Sequence, residues 1–407
     1  MHAADVVVVG GGPAGAAAAI TLARAGRGVV VVDRARFPRD KVCGDGLTTG
    51  ALRLLEGLGL DPGGVASWRR VDDVVVRGPA GHEVTFPMPR GDGTHAAVAR
   101  RSDLDAALLD VARTAGVTVL DGYASVGARE DARGVTVAVD GMGELTAPYA
   151  VAADGMWSPT RKHLGLAASG YRGEWHAFRQ YFGGVATLAS RQLFVWFEPD
   201  LLPGYAWSFP LAGGVANVGF GTVRGGKVTR VRDMAGIWRE LLRRPHIRRV
   251  LGDGARPESR HRAWPIPARV DQAVLTGRRT LFVGDAAAAT DPLTGEGIAQ
   301  ALLTGIVAAE AIVGDPSGAD PSPGVVMARY RQAVRRALLA DHRMSLLLAR
   351  LVSHRKGVRA GLRLAGATGW TRRNFARWLF EDYPRALVAT PRRWHQGMFT
   401  GPGAYGS

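Results

Sequence analysis

Apolar and polar positions alternate with three different rhythms along the chain. Ala4–Val9 reads ADVVVV and Gly28–Asp33 reads GVVVVD, two short runs that are apolar at almost every position. Continuous apolar runs of strand length, bounded by glycine, fit strands buried on both faces of a parallel sheet. Between them AAAAITLARAG has the length and small side chains of a closely packed helix. The same pairing returns late in the chain, with the strand TLFVGD from Thr280 and an Ala-rich helix from about Gly297 to Val313. A second rhythm alternates one for one. Asp72–Met88 does so around a Gly78-Pro79-Ala80-Gly81 turn, as a β-hairpin requires. Short strands are expected at Val117–Leu120, Ser125–Glu130, Gly134–Val139 and Tyr149–Ala153, and Arg179–Val223 is expected to supply much of an antiparallel sheet. The third rhythm is helical. ARRSDLDAALLDVARTAG predicts a helix with Ser102 as N-cap and Gly116 as its stop, and from about Val325 the chain is basic helix.

These patterns predict an α/β protein. A Rossmann-like dinucleotide-binding domain is drawn from residues 1–70, 99–165 and 270–322, with an inserted antiparallel β-sheet substrate domain from 71–98 and 166–269, and C-terminal basic helices over 323–407.

Composition narrows the setting. The single cysteine, Cys43, excludes an internal disulfide framework, and no uncharged apolar run reaches the roughly 18 residues of a spanning helix. The first residues pass directly into a strand with no leader pattern, so a cytoplasmic protein is expected. The net charge of +16 is concentrated: Arg329–Arg393 carries sixteen Lys/Arg against three Asp/Glu, an excess of thirteen that leaves only three for the rest of the chain. Such a segment is suited to peripheral contact with an anionic membrane face. No nucleic-acid-binding motif accompanies it, so no nucleic-acid partner is expected. No metal site is expected either.

The candidate chemistry begins between the first two strands. Gly10, Gly12 and Gly15 have G-x-G-x-x-G spacing, and Asp33 ends the second strand. The first glycine permits a tight turn, the second a close approach of backbone N–H groups to a pyrophosphate, and the third close packing of helix on strand; the acid can hold a ribose. Asp154 ends another strand, in ADGMWSPTR, and Asp285 a third, in GDAAAATDPLTGEGI. An acid at a strand's end can hold a ribityl hydroxyl. Backbone N–H groups at the helix start formed by Gly295, Gly297 and Ile298 can hold a ring oxygen that gains charge on reduction, which suits a flavin. Arg101, in RSDLD, would add a cation.

Those four stretches resemble the flavoprotein fold shared by aromatic hydroxylases, flavin halogenases and geranylgeranyl reductases, and they cover the chain to about residue 310. The resemblance implies non-covalent FAD, with Gly10, Gly12, Gly15 and Asp33 on its ADP half, Arg101 and Asp285 on the ribityl-pyrophosphate, and Gly295–Ile298 near the isoalloxazine. KVCGDGLT, at Lys41–Thr48, closely resembles the P-C-G-D-G-L loop of the geranylgeranyl reductases, with Val42 where proline is usual. Tyr205, Trp207, Phe209 and Pro210, followed by Gly219 and Gly221, match that family's aromatic-proline substrate motif, which implies that Tyr205, Trp207, Phe209, Gly219 and Gly221 bind substrate. WTRRNFARWLFEDYPRAL resembles actinobacterial members, some of which reduce the isoprenoid tail of menaquinone.

Physical reading and resemblance meet at the aromatic run. At strand spacing Tyr205, Trp207 and Phe209 share one face and would form an apolar wall for a branched hydrocarbon chain. Cys43 and Tyr205 are the acids expected to serve the reaction, with Asp45 a further candidate in the same loop. The expected function is FAD-dependent reduction of isoprenoid C=C bonds. The alternatives are an aromatic monooxygenase of the same fold and a non-enzymatic flavin- or lipid-binding protein at the membrane surface. No second glycine fingerprint followed by a ribose acid occurs, so NAD(P)H binding transiently, or a separate reductase, is expected to supply electrons.

Overall fold

A computed structural model describes residues 4–224, 234–314, 321–394 and 398–406. At its centre five parallel strands lie in the order Thr280–Phe282, Tyr149–Ala152, Val6–Val9, Val29–Asp33 and Thr118–Asp121. Val6–Val9 is the middle strand, and all four of its residues are buried, which accounts for a run with no polar position. The helices Pro13–Arg24 and Ile298–Val313 pack on this sheet and on each other. A Cβ on Gly305 would stand 2.2 Å from the Ala14 carbonyl oxygen, so these helices touch backbone to backbone. Their alanine content is the requirement of that close approach.

The helix Arg101–Thr114 begins two residues earlier than a cap at Ser102 would place it. Arg100 is the N-cap and makes no side-chain cap bond, while the Ser102 hydroxyl donates to Asp103 Oδ1 at 2.7 Å. The physical reason lies one turn on: Arg101 forks onto Asp105, an i,i+4 pairing that requires Arg101 to be inside the helix.

The large sheet has eight strands. Trp175–Gly183, Val215–Val223, Tyr205–Leu211 and Leu193–Trp196 are antiparallel neighbours, and Asp73–Arg77 then joins Leu193–Trp196 in parallel and pairs with Glu83–Pro87 as a hairpin. One face packs through Phe178, Trp196 and Phe220 on Trp238 and Ile247 of the helices Met234–Arg243 and Pro245–Leu251. The other face carries Val74, Val76 and Phe86 and is covered in part by Val358, Leu362 and Phe380 from the C-terminal helices.

Among the described residues that C-terminal region has three α-helices, Pro323–Val352, Arg355–Gly366 and Gly369–Leu379. The first begins on the parallel-sheet domain, where Tyr330 is fully buried and its hydroxyl donates to the Phe282 carbonyl at 2.5 Å. It ends over the large sheet, with Val352 packed against the cluster of Val74 and Phe86. The basic segment therefore ties the two sheets together and roofs the space between them. No helix among the described residues is long and apolar enough to cross a membrane.

Candidate active site

Between the two sheets runs a cavity of about 850 Å³. One end is built from the first glycine turn. Gly10 has φ +107°, and a Cβ there would lie 2.3 Å from the Ala153 oxygen; at Gly15 it would lie 1.8 Å from the Gly10 oxygen. Both glycines are demanded by packing. Gly15 contacts strand rather than cavity, as its place in the fingerprint requires. Gly12 differs: a Cβ would meet only Arg39 Nη2 at 3.5 Å and Arg101 Nη2 at 3.8 Å. Its open side thus faces the cavity between two guanidinium groups at a helix N-terminus, the environment a pyrophosphate needs.

Charge around this end is arranged to stay positive. Asp105 is fully buried and accepts both arms of the Arg101 fork, at 2.8 and 2.7 Å, while Arg39 approaches the same carboxylate at 2.9 Å. Two cations share one anion. Lys41 adds a third cation, 3.9 Å from Asp285 Oδ2, and burial lowers its ammonium to about 8. Asp33 accepts the N–H of Gly11 at 2.7 Å and of Ala35 at 2.8 Å, and it lines the cavity with lone pairs left for a ribose. A glycine cradle, cations at a helix start and carboxylates at strand ends fit FAD in donor type and order.

Asp154 also lines the cavity, but both its oxygens are engaged at home, by the Ser158 hydroxyl at 2.6 Å and the Thr160 N–H at 2.8 Å. It shapes the turn. Gly295, Gly297 and Ile298 line the cavity where a ring would lie. One of the N–H groups offered there is already taken, since Ile298 donates to Glu296 Oε1 at 2.8 Å.

The other end is aromatic. Tyr205, Trp207 and Phe209 all line the cavity, with successive ring centroids 6.0 Å apart. Gly221 lines it beside Trp175, whereas Gly219 does not. A Cβ on Gly219 would stand 2.4 Å from Trp207 Cζ2, so that glycine makes room for the indole. Trp207 Nε1 donates to Asn217 at 3.1 Å, and Asn217 donates in turn to the Cys43 carbonyl and to Asp45 Oδ2, both at 2.8 Å. The aromatic wall and the CGDG loop are therefore one hydrogen-bonded unit. The Cys43 thiol is pushed up to about 11 by burial and stays protonated; burial likewise raises Asp45 to about 6 against the bonds it accepts from Tyr181 and Asn217. The Tyr205 hydroxyl donates to the Thr294 carbonyl, and burial raises its pKa. Beyond the rings the cavity continues as an apolar arm between Val74, Val76 and Leu193 of the sheet and Leu348, Leu351 and Val352 of the long helix.

With this geometry in place, known proteins can be compared. The FAD-binding domain family matches residues 3–303. A menaquinone reductase of Mycolicibacterium smegmatis is 36% identical over 327 residues, covering 75% of this chain and 76% of that protein. A digeranylgeranylglycerophospholipid reductase of Methanopyrus kandleri is 32% identical over 325 residues, covering 77% and 79%. The chain belongs to the geranylgeranyl reductase family of FAD-dependent oxidoreductases. Among solved structures, a geranylgeranyl bacteriochlorophyll reductase-like protein of Thermoplasma acidophilum superposes with a TM-score of 0.78 at 21% identity, over 97% of this chain and all of that one. A flavin-dependent brominase superposes at 0.75 and 19% identity, over 96% and 98%. At these identities the superpositions establish the shared fold alone.

For this family member, sequence reasoning missed three charged groups, two of which, Glu296 and Arg385, line the cavity. Glu296, Glu381 and Arg385 meet where the C-terminal segment docks on the start of the helix Ile298–Val313. Glu296 was hidden in plain view, inside a Gly-Glu-Gly turn read for its glycines. Glu381 and Arg385 lie some eighty residues further on and carried no local signal.

Proposed function

We propose that this protein saturates trisubstituted C=C bonds in the prenyl chain of menaquinone or of a geranylgeranyl lipid. The carrying observation is the continuity of the cavity, from a glycine turn fitted to FAD, past an aromatic wall, into an apolar arm. Reduced FAD, when bound, supplies a hydride. The remaining tasks fall to the chain. An isolated alkene must receive a proton at one carbon while its other carbon becomes electron-poor, and the faces of Tyr205, Trp207 and Trp175 are suited to sheltering such a centre. The same rings keep water out. Cys43, protonated through burial, stands at the junction of the polar and aromatic halves and is the thiol proposed to deliver the proton, with Tyr205 orienting the chain. Electrons are proposed to arrive from NAD(P)H binding transiently or from a separate reductase.

The same reading includes peripheral contact with an anionic membrane. Leu351 lines the apolar arm and yet is 53% exposed, so the arm reaches the surface there. Leu347, Leu364 and Trp370 are also exposed on the C-terminal helices, among the exposed Arg350, Arg355, Lys356 and Arg359. Apolar side chains set among arginines support insertion into a lipid headgroup layer, from which a long prenyl chain can enter directly.

The test is anaerobic incubation of dithionite-reduced protein with menaquinone and with geranylgeranyl diphosphate, read by mass spectrometry. Gain of two hydrogens per bond, retained after the quinone ring is reoxidised, supports the reading. Incorporation of an oxygen atom into an aromatic substrate in air, with no hydrogen gained anaerobically, would replace it with a monooxygenase.

A further inference from the structure

Glu296 and Asp291 lie five residues apart in one loop and face opposite electrostatic worlds. Asp291 Oδ1 accepts from the Leu293 N–H at 3.0 Å and from both the N–H and the hydroxyl of Thr294 at 2.8 Å; Oδ2 accepts from Ser345 and lies 3.3 Å from Arg385 Nε. Burial alone would raise its pKa, but the Arg385 charge and these donors hold it below the usual carboxylate range. Glu296 receives only backbone N–H groups, of Ile298 at 2.8 Å and of Ala299, and the ion pairs of Arg385 go to Asp291 and Glu381 instead. Glu296 lines the cavity.

Glu381 arrives from the far end of the chain. It accepts from Thr48 at 2.9 Å and from Gln300 Nε2 at 2.8 Å, with Arg385 at 3.4 Å. It is held at φ +56°, a left-handed conformation that is uncommon for glutamate, so the docking of this segment is specified and not incidental. Arg385 thus pairs with two of the three acids, Asp291 and Glu381, and leaves Glu296 without an ion pair. Among the described residues, three buried polar atoms of the cluster have no hydrogen-bond partner: Gln300 Oε1, and Nε and Nη1 of Arg385, a residue only 4% exposed that lines the cavity. A buried amide oxygen without a donor, beside carboxyl groups, is what an additional acidic proton would satisfy.

We infer that Glu296, sharing one proton with Glu381, is the proton reservoir of this cavity and re-protonates the Cys43 thiol after each reduction. The inference rests on the prenyl-reductase reading. Glu296 and Cys43 line the same cavity, and the Glu296 charge is close enough to raise the thiol's pKa. Glu296 itself is pushed up to about 8, by burial first and by the Glu381 carboxylate second, so near neutral pH it is largely a neutral acid. The groups facing it are Cys43 and Tyr205 from the loop and the large sheet, Asp291 from its own loop, and Glu381 and Arg385 from the C-terminal segment. The balance is simple. The alkene π bond breaks and one new C–H bond takes the hydride, which oxidises the reduced cofactor. The other takes the proton of Cys43, whose S–H bond breaks. The Glu296 O–H then breaks to restore the thiol, and solvent restores Glu296 through Glu381.

Glu381 and Arg385 lie outside the residues matched by the FAD-binding domain family, so the reservoir combines the shared fold with this chain's C-terminal segment. Two measurements test it in the FAD-loaded protein. The first is infrared difference spectroscopy with 13C-labelled glutamate across pH 6 to 10. A protonated glutamic carboxyl should titrate near 8, vanish in Glu296→Gln, and titrate at lower pH in Glu381→Gln, where the neighbouring charge is gone. The second compares a single turnover with continuous turnover under excess dithionite. In Glu296→Gln the turnovers after the first should be about 100-fold slower than that variant's own first turnover, since the thiol begins protonated and the lost group is a proton-transfer group. It should also flatten the fall in wild-type continuous rate above pH 8. No carboxyl titrating in that window, or a first turnover slowed as much as later ones, would overturn the reservoir. Failure of the wild type to form any prenyl product would overturn the reductase reading, while the infrared band tests the acid pair separately.

Discussion

The dinucleotide end of the cavity is made of backbone, whereas the arm that ends at Leu351 is made of side chains. At the first end a glycine turn and two strand ends set the frame that carries Arg39, Arg101 and Asp33, and the critical backbone distances, such as 1.8 Å from a Cβ on Gly15 to the Gly10 oxygen, leave no freedom. At the second, residues from the CGDG loop, the aromatic strand and the C-terminal helices converge from points far apart in the chain, and the outermost, Leu351, is half in solvent. The difference teaches where this molecule can vary. The cofactor end has one solution, while the substrate end can be reshaped a residue at a time, which suits a fold shared with a brominase.

Substitutions should break this contrast unequally. Gly15→Val has the largest expected effect: the side chain cannot be placed without separating helix from strand, so FAD-loaded protein should not be recovered, as judged by flavin absorbance after purification. Asp45→Asn comes next, with the opposite sign for stability. The folded-state pKa of Asp45, about 6, lies above its ordinary 3.8, so the folded protein binds more protons between those values. Stability therefore falls as pH rises from about 4 to about 6, and the charged carboxylate costs up to about 3 kcal/mol at neutral pH. The asparagine should raise the Tm at pH 7, flatten its pH dependence between pH 4 and 6, and lower turnover. Trp207→Phe removes the bond to Asn217 and should cost about 1 kcal/mol in thermal unfolding while raising the KM for the prenyl substrate. Leu351→Glu should change stability by less than about 0.5 kcal/mol, because the site is largely exposed, yet weaken binding to anionic vesicles in a co-sedimentation assay. An equal loss of stability at Gly15 and Leu351 would erase the distinction between the two ends.

Legibility in the sequence follows the same division. The parallel sheet was plain because strands buried on both faces leave no polar residue in VVVV, and the glycine turn because its spacing is set by local backbone geometry. The aromatic wall was legible through period-two alternation, which places Tyr205, Trp207 and Phe209 on one face whatever lies opposite. What lay opposite was not legible. The apolar stripe of Met344, Leu347, Leu348, Leu351 and Val352 announces an amphipathic helix, but not that Leu348 and Val352 would wall a cavity while Leu347 stays exposed. The N-cap at Ser102 failed because a buried Arg101–Asp105 pair outweighs a cap preference. Gly219 was placed with the substrate residues by its motif, when its part is to leave room for Trp207. Glu381 could not be found from spacing at all, since its partners Thr48 and Gln300 are 333 and 81 residues distant.

The central claim is that the cavity directs hydride to the prenyl chain and not to the quinone head. Both events would add two hydrogens to menaquinone, and only one survives oxidation. The direct measurement is therefore the mass of menaquinone recovered after anaerobic incubation with the reduced protein and subsequent ferricyanide treatment, with fragmentation to separate ring from chain. The predicted result is two retained hydrogens per reduced bond, all in chain fragments. Return of the product to its starting mass, with the ring as the only site reduced, would contradict it.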